Sequence, residues 1–228
     1  MRCVLCLVTD RVRLAARLGR PVNGVDDIDL LVAHARAAAA AGVDFIQVRE
    51  PDLGAGAVWT LVGRIIEAVR PAKARVLVSD RLDVALACGA DGVHLKEASI
   101  PPQAARRLAP AGFLIGRSVH GVEAVRHAVD GGADYLVFGT VFATGSKAPG
   151  VPLAGPAGLE AAVGAAGRVP VLAIGGAGRD TAPVLRAAGA AGMAAIDAFL
   201  PRGADLDTEL HTIVADLRTA FDTPSPLT

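Results

Sequence analysis

AAGVDFIQVR at residues 40–49, ACGADGVHLK at 87–96, DGGADYLVFG at 130–139 and AAGAAGMAAI at 187–196 share one pattern: a helix end, a glycine, a small residue, then an apolar strand. Three further apolar runs lie between these units, Arg75 to Val78, Phe113 to Ile115 and Val169 to Ile174, each followed by helix-forming sequence. With Cys3 to Val8 at the start, eight strands alternate with helices over 28–41, 56–70, 81–88, 101–108, 121–130, 156–166, 179–188 and 206–221. The strands are near-continuous apolar runs without period-two alternation, as expected when both faces of a parallel sheet are covered. An eight-stranded parallel sheet that closes has no edges, and four like helix-to-strand joints favour that closure over a doubly wound sheet. The chain is therefore read as α/β, a single (β/α)8 TIM barrel, in one domain over 1–222 with a frayed tail over 223–228.

Hydrophobic residues make up 52% of the 228 and aromatics only 4%, which suits closely packed helices on a sheet. Lys plus Arg and Asp plus Glu are equal at 23 each, so no global basic field exists to gather nucleic acid or a membrane surface, and small molecules are the expected partners. Cys3, Cys6 and Cys88 form no closed framework and read as free thiols, which favours a reducing cytoplasm. The opening MRCVLCLVTD is too short to span a bilayer and runs into an acid, so it reads as a strand. A polar loop is expected after Thr9, Asp10 and Arg11, up to Asp26 and Asp27, which stand where a helix cap belongs.

Barrel active sites lie at the carboxyl ends of the strands, and the polar clusters fall there. Gln47 and Arg49 occupy alternate positions of the second strand and can point into the mouth; Arg49 needs either an anionic ligand or a barrel acid such as Asp80. Ser79 and Asp80 close the third strand, where Asp80 can hold a metal, cap the next helix or pair with Arg49. His94 ends the fourth strand, as a functional group or as a residue buried between strand and helix. The fifth ends in Ser118, Val119 and His120, where an imidazole can serve as general base or cap the helix that follows. GADYLVFGTVFATGSKAPG at 132–150 is a strand feeding a loop whose Thr144, Ser146 and Lys147 can wrap an anion, unless the loop is only a solvated connection. Gly175 and Gly176 precede a helix expected near Gly178, where backbone N–H groups can converge on an oxyanion.

LVTD at 7–10, QVRE at 47–50, the Asp80–Arg81 pair, DGVHL at 91–95, GRSVH at 116–120, GADYLVFG at 132–139 with TGSK at 144–147, and AIGG at 173–176 occur in an order that resembles the thiamine phosphate synthase superfamily, over about residues 3–200. That superfamily includes thiazole tautomerases as well as synthases. The resemblance implies that Gln47, Arg49 and Asp80 face a pyrimidine diphosphate, and that magnesium is held by Asp80 and a second Asp. Here that second position is Ser99, the family's diphosphate Lys is Pro51, and its Asn is Ser79. Loss of an ammonium and a carboxylate removes charge that a diphosphate and a hard dication need. The thiazole phosphate half is retained in Thr144, Ser146, Lys147, Gly175 and Gly176, and so is His120. Asp197 stands where the family has a Ser near the phosphate, a repulsion that calls for compensation by Lys147 or Arg179.

The reading favoured on these grounds is a thiazole tautomerase-like isomerase acting on a thiazole phosphate carboxylate without metal, with His120 and Arg49 catalytic, Ser118 or a backbone carbonyl orienting the His120 ring, and Ser118 and Asp197 among the substrate-binding residues. The alternatives are a synthase using Mg2+ through Asp80 and a non-catalytic binding homologue. Partners are then a phosphorylated thiazole or pyrimidine, with a homodimer as the assembly to test.

Overall fold

The computed structural model describes residues 2–24, 26–145, 150 and 152–222. Eight parallel strands close in chain order: β1 (Val4–Val8), β2 (Phe45–Val48), β3 (Arg75–Ser79), β4 (Gly92–Leu95), β5 (Leu114–Val119), β6 (Tyr135–Phe138), β7 (Val171–Ala173) and β8 (Gly192–Ala195). Strand β8 returns to β1, with Val4 opposite Gly192 and Leu7 opposite Ala195, so no edge is left unpaired. This is the TIM barrel expected from the repeat. The tail at 223–228 lies outside the described residues.

The repeat has a physical basis at each joint. Gly42, Gly89, Gly132 and Gly189 all have positive φ, between 66° and 98°, a region that side chains with a Cβ disfavour. At each joint the residue after the glycine donates its N–H to a carbonyl five residues back: Val43 to Ala38, Ala90 to Ala85, Ala133 to Ala128 and Ala190 to Leu185. That bond ends the helix and turns the chain into the next strand. Three of the joints carry an Asp that accepts an N–H from the preceding strand: Asp44 from Leu5, Asp91 from Val76 and Asp134 from Ile115. The fourth has Ala191 in that place.

Alternate strand residues face opposite layers. Cys6, Val8, Leu77, Tyr135, Val137, Leu172 and Ala194 fill the barrel, while Leu5, Leu7, Ile46 and Val76 pack outward against the helices. Both layers are apolar, which is why no alternation shows in the sequence.

Nine α-helices are described: α1 (Arg11–Arg17), α2 (Asp26–Ala41), α3 (Ala55–Val69), α4 (Leu82–Cys88), α5 (Pro102–Arg106), α6 (Val122–Asp130), α7 (Gly155–Ala166), α8 (Ala182–Ala187) and α9 (Leu206–Asp222). The last eight are those expected. The first replaces part of the expected polar loop. Asp10 caps it by accepting the Arg13 N–H at 3.0 Å, and Leu14 and Ala15 are buried beneath it. Seven residues are too few for a helical period to stand out. Asp26 and Asp27, expected at a cap, are the first residues of α2, and Asn23 accepts the Asp26 N–H instead.

The closing seam leaves no room for a side chain, since a Cβ at Gly192 would run into the backbone of Val4, whereas a Cβ at Gly164 in α7 would meet open space. We expect Gly192→Ala to lower unfolding stability by about 1–3 kcal/mol through overpacking. Gly164→Ala should raise it by about 0.5–1 kcal/mol through lower chain entropy. Urea midpoints check both, and equal effects would count against this account of the seam.

Candidate active site

The carboxyl ends of the strands surround a cavity of about 620 Å³. Its floor is apolar, from Val8, Val137, Ile174, Ala194 and Ile196, and its rim is polar, from Arg13, Gln47, Arg49, Lys96, Glu97, Ser118, His120, Thr144 and Asp197 together with Gly175 and Gly176.

On the β1–β2 side a buried charge network sets the rim. Arg11 is 6% exposed and meets Asp27 at 2.8 Å and Glu50 at 3.3 Å, with Asp52 closing the cluster from the surface. Thr9 donates its hydroxyl to Glu50 at 2.7 Å and accepts the Arg49 backbone N–H at 2.9 Å. The backbone of Arg49 is thus held by the core, while its exposed guanidinium has no partner among the described residues. The alternative of an Arg49–Asp80 ion pair is not what the structure contains.

Asp80 instead pairs with Lys96, Nζ to Oδ2 at 3.0 Å, and accepts the Ser99 hydroxyl on Oδ1. It is the one non-glycine residue with positive φ among the described residues, at 61°, and its N–H donates to the His94 carbonyl at 2.8 Å. Such a conformation in a residue with a Cβ is maintained by its surroundings. Burial raises the Asp80 carboxyl, but the Ser99 hydroxyl and the Lys96 ammonium outweigh it and hold the group below the usual carboxylate range. Nearby, Gln47 donates to the Ser79 hydroxyl at 2.7 Å, so the residue in place of the family's Asn orients Gln47.

These contacts test the magnesium that the resemblance implies. The set is one carboxylate whose two oxygens are already taken, one by an ammonium, and among the described residues no group of three or more His, Cys, Asp or Glu side chains is placed to hold a metal. Magnesium is usually held by one or two carboxylates together with substrate phosphates, and here the one carboxylate is already engaged by an ammonium, so this donor set does not fit a resident dication.

His94 is buried and links Tyr135 OH on Nδ1, at 3.0 Å, to Ser118 Oγ on Nε2, at 2.8 Å. Burial, with Arg117 nearby, lowers its pKa to about 4, so the ring is neutral near pH 7. Burial likewise raises Tyr135 well above its ordinary value. With Tyr135 donating to Nδ1, the Nε2–H donates to Ser118, and the Ser118 proton is directed to the cavity. This arrangement gives the buried Tyr135 hydroxyl proton an acceptor.

His120 lines the cavity but is not oriented by Ser118 or a backbone carbonyl, as the sequence reading expects. Glu97 Oε2 accepts from both its backbone N–H, at 2.8 Å, and its Nδ1, at 2.7 Å. Nor does it cap α6, whose cap position is Gly121. Arg117 braces the same loop by donating to the carbonyls of Glu97 and Ile100, each at 2.6 Å.

On the opposite rim, Gly175 and Gly176 have positive φ of 93° and 61°. The N–H groups of Gly176 and Ala177 have no acceptor among the described residues. The helix that follows begins at Ala182, not near Gly178. Of the two cations expected beside Asp197, Arg179 pairs with Asp216, and Lys147, like Ser146, lies outside the described residues. Asp197 pairs with Arg13 on α1, at 2.6 Å, which also donates to the Gly145 carbonyl at 2.6 Å. Arg13 was missed because it comes from a helix read as loop; the Asp10 cap three residues earlier was the available signal.

A family model described as thiamine monophosphate synthase matches residues 22–199. The chain belongs to that family. A thiamine-phosphate synthase of Anaeromyxobacter dehalogenans is 47% identical over 179 residues, covering 78% of each chain. One of Methanospirillum hungatei is 39% identical over 200 residues, covering 88% of this chain and 91% of the relative. Among solved structures, thiamine phosphate pyrophosphorylase from Pyrococcus furiosus superposes with a TM-score of 0.76 at 30% identity, over 95% of this chain and 96% of that one. These relatives overturn the tautomerase reading. Its physical premise is the loss of the family's Lys at 51 and carboxylate at 99; the structure adds a cation there that this premise leaves out, Lys96 beside Asp80.

The folded-state pKa of His94, about 4, lies below its ordinary 6.5. The unfolded chain therefore takes up the proton first as pH falls, and the folded state loses stability from pH 6.5 toward 4, with no such loss above 6.5. The parent's urea midpoint should fall across that window more steeply than that of His94→Gln. Superimposable profiles would remove the Tyr135–His94–Ser118 chain as described.

Proposed function

We propose that this chain is a thiamine-phosphate synthase, which joins hydroxymethylpyrimidine diphosphate to a thiazole phosphate and releases pyrophosphate. One observation carries the reading: the cavity has two separate ends suited to anions, Arg49 with Lys96 on the β2–β4 side and the Gly175–Gly176 backbone beside β7, across an apolar floor. Two phosphorylated substrates need two such ends.

In the condensation, the bond from the pyrimidine methylene carbon to the diphosphate oxygen breaks and its electron pair leaves with the diphosphate. The thiazole nitrogen lone pair forms the new carbon–nitrogen bond. Negative charge therefore builds on the departing oxygens, and a guanidinium there lowers the barrier. Arg49 fills that role, since Thr9 anchors its backbone and its side chain is unpaired among the described residues. Gln47 and the outward-directed Ser118 hydroxyl orient the pyrimidine. Thr144, Ser146, Lys147 and the two glycines hold the thiazole phosphate. The bond-forming step moves no proton, so His120 acts as a binding residue held by Glu97.

Mixing both substrates should yield thiamine phosphate and pyrophosphate, read by phosphorus NMR. Arg49→Ala should lower kcat/KM by about 10²- to 10³-fold, the scale for losing one donor to a developing anion. His120→Asn should cost about tenfold or less, well below the 10²–10⁴ expected of a general base. Absence of product from the folded parent enzyme with both substrates saturating would sink the reading.

Arg13 supports the thiazole end through charge. Removing it exposes the Asp197 carboxylate to an incoming phosphate, and like charges repel strongly near a low-dielectric rim. Arg13→Ala should raise the KM for thiazole phosphate by about tenfold or more with kcat little changed. Adding Asp197→Ser should restore much of the loss; a double variant no better than the single would show that Arg13 acts otherwise.

A further inference from the structure

The diphosphate end of the cavity departs from the family pattern at positions 51 and 99. The carboxylate expected at 99 is a serine hydroxyl, the ammonium expected at 51 is an exposed proline, and a lysine stands at 96. Ser99 and Lys96 converge on Asp80. Ser99 donates its hydroxyl to one Asp80 oxygen, Lys96 Nζ lies 3.0 Å from the other, and Lys96 lines the cavity. The Asp80 backbone is locked in the left-handed region by its bond to the His94 carbonyl, so its carboxylate is fixed where the Lys96 ammonium meets it. Arg117 anchors the loop carrying Lys96 and Ser99 through the carbonyls of Glu97 and Ile100.

We propose that Lys96 is the resident cation of the diphosphate subsite, and that this chain binds the diphosphate group without a divalent metal ion. This rests on the synthase reading but concerns the subsite alone. The charge balance is coherent. A site that has lost one carboxylate no longer holds a dication well, and an ammonium tethered to the remaining carboxylate offers a positive charge and rotatable N–H donors to diphosphate oxygens. The Lys96 side chain is 65% exposed, so it can keep Asp80 on one side and meet a ligand on the other. Ser99 completes the arrangement by satisfying the Asp80 oxygen that Lys96 does not reach.

The test measures binding of inorganic pyrophosphate to the full chain by calorimetry, in excess chelator and again in millimolar Mg2+. Turnover plays no part, so a failure here is distinct from a failure of the synthase reading. The parent should bind pyrophosphate in chelator with an affinity within about threefold of that in Mg2+. Lys96→Gln should lose about tenfold or more in chelator, the scale of a charged hydrogen bond, while keeping the parent's thermal unfolding midpoint. Lys96→Gly combined with Ser99→Asp should bind pyrophosphate only when Mg2+ is present. Binding by the parent that appears only with Mg2+, or Lys96→Gln binding as tightly as the parent in chelator, overturns the proposal.

Discussion

Closure of the parallel ladder between β8 and β1 is the constraint on which the rest of this molecule depends. A closed parallel sheet places every strand's carboxyl end on one rim, so residues as far apart in sequence as Arg13, Arg49, Lys96, His120 and Asp197 share one cavity. Closure requires backbones to approach closely at the seam, which is why Gly192 faces Val4 without a side chain between them. At the opposite rim the glycine joints and the three Asp-to-backbone bonds stitch pairs of strands together.

The second organising feature is the buried Arg11 cluster. Burying a guanidinium costs several kcal/mol unless carboxylates and hydrogen bonds offset it, and Asp27, Glu50 and Asp52 do so from α2 and the β2–α3 loop. What the fold gains is position. Through Thr9 and Glu50 the cluster ties the end of β1 to the end of β2 and sets the backbone of Arg49, leaving that side chain for a ligand.

Charge at the rim is arranged across elements. Asp197 follows β8 but is neutralised from α1, and Asp80 follows β3 but is neutralised from the end of β4. Judged position by position, each departure from the family pattern looks like damage to a phosphate site. Judged in three dimensions, Asp80 and Asp197 each have a cation within 3.0 Å.

The sequence by itself determined the barrel, because four copies of one helix-to-strand joint are local chemistry: a left-handed glycine, a helix-ending hydrogen bond and an apolar run. It also located the rim residues Gln47, Arg49, Ser118, His120, Gly175 and Gly176, since strand ends are readable wherever apolar runs stop. It did not show α1, whose seven residues carry no visible period, nor which of two apolar layers each strand residue joins. Partnership was decided only by the tertiary structure. The pairs Arg13–Asp197, Lys96–Asp80, Glu97–His120 and His94–Ser118 join residues separated by 16 to 184 positions, with no local signal to link them. Whether a polar side chain is free for a ligand or already satisfied depends on those distant partners, and that is a property of the closed barrel.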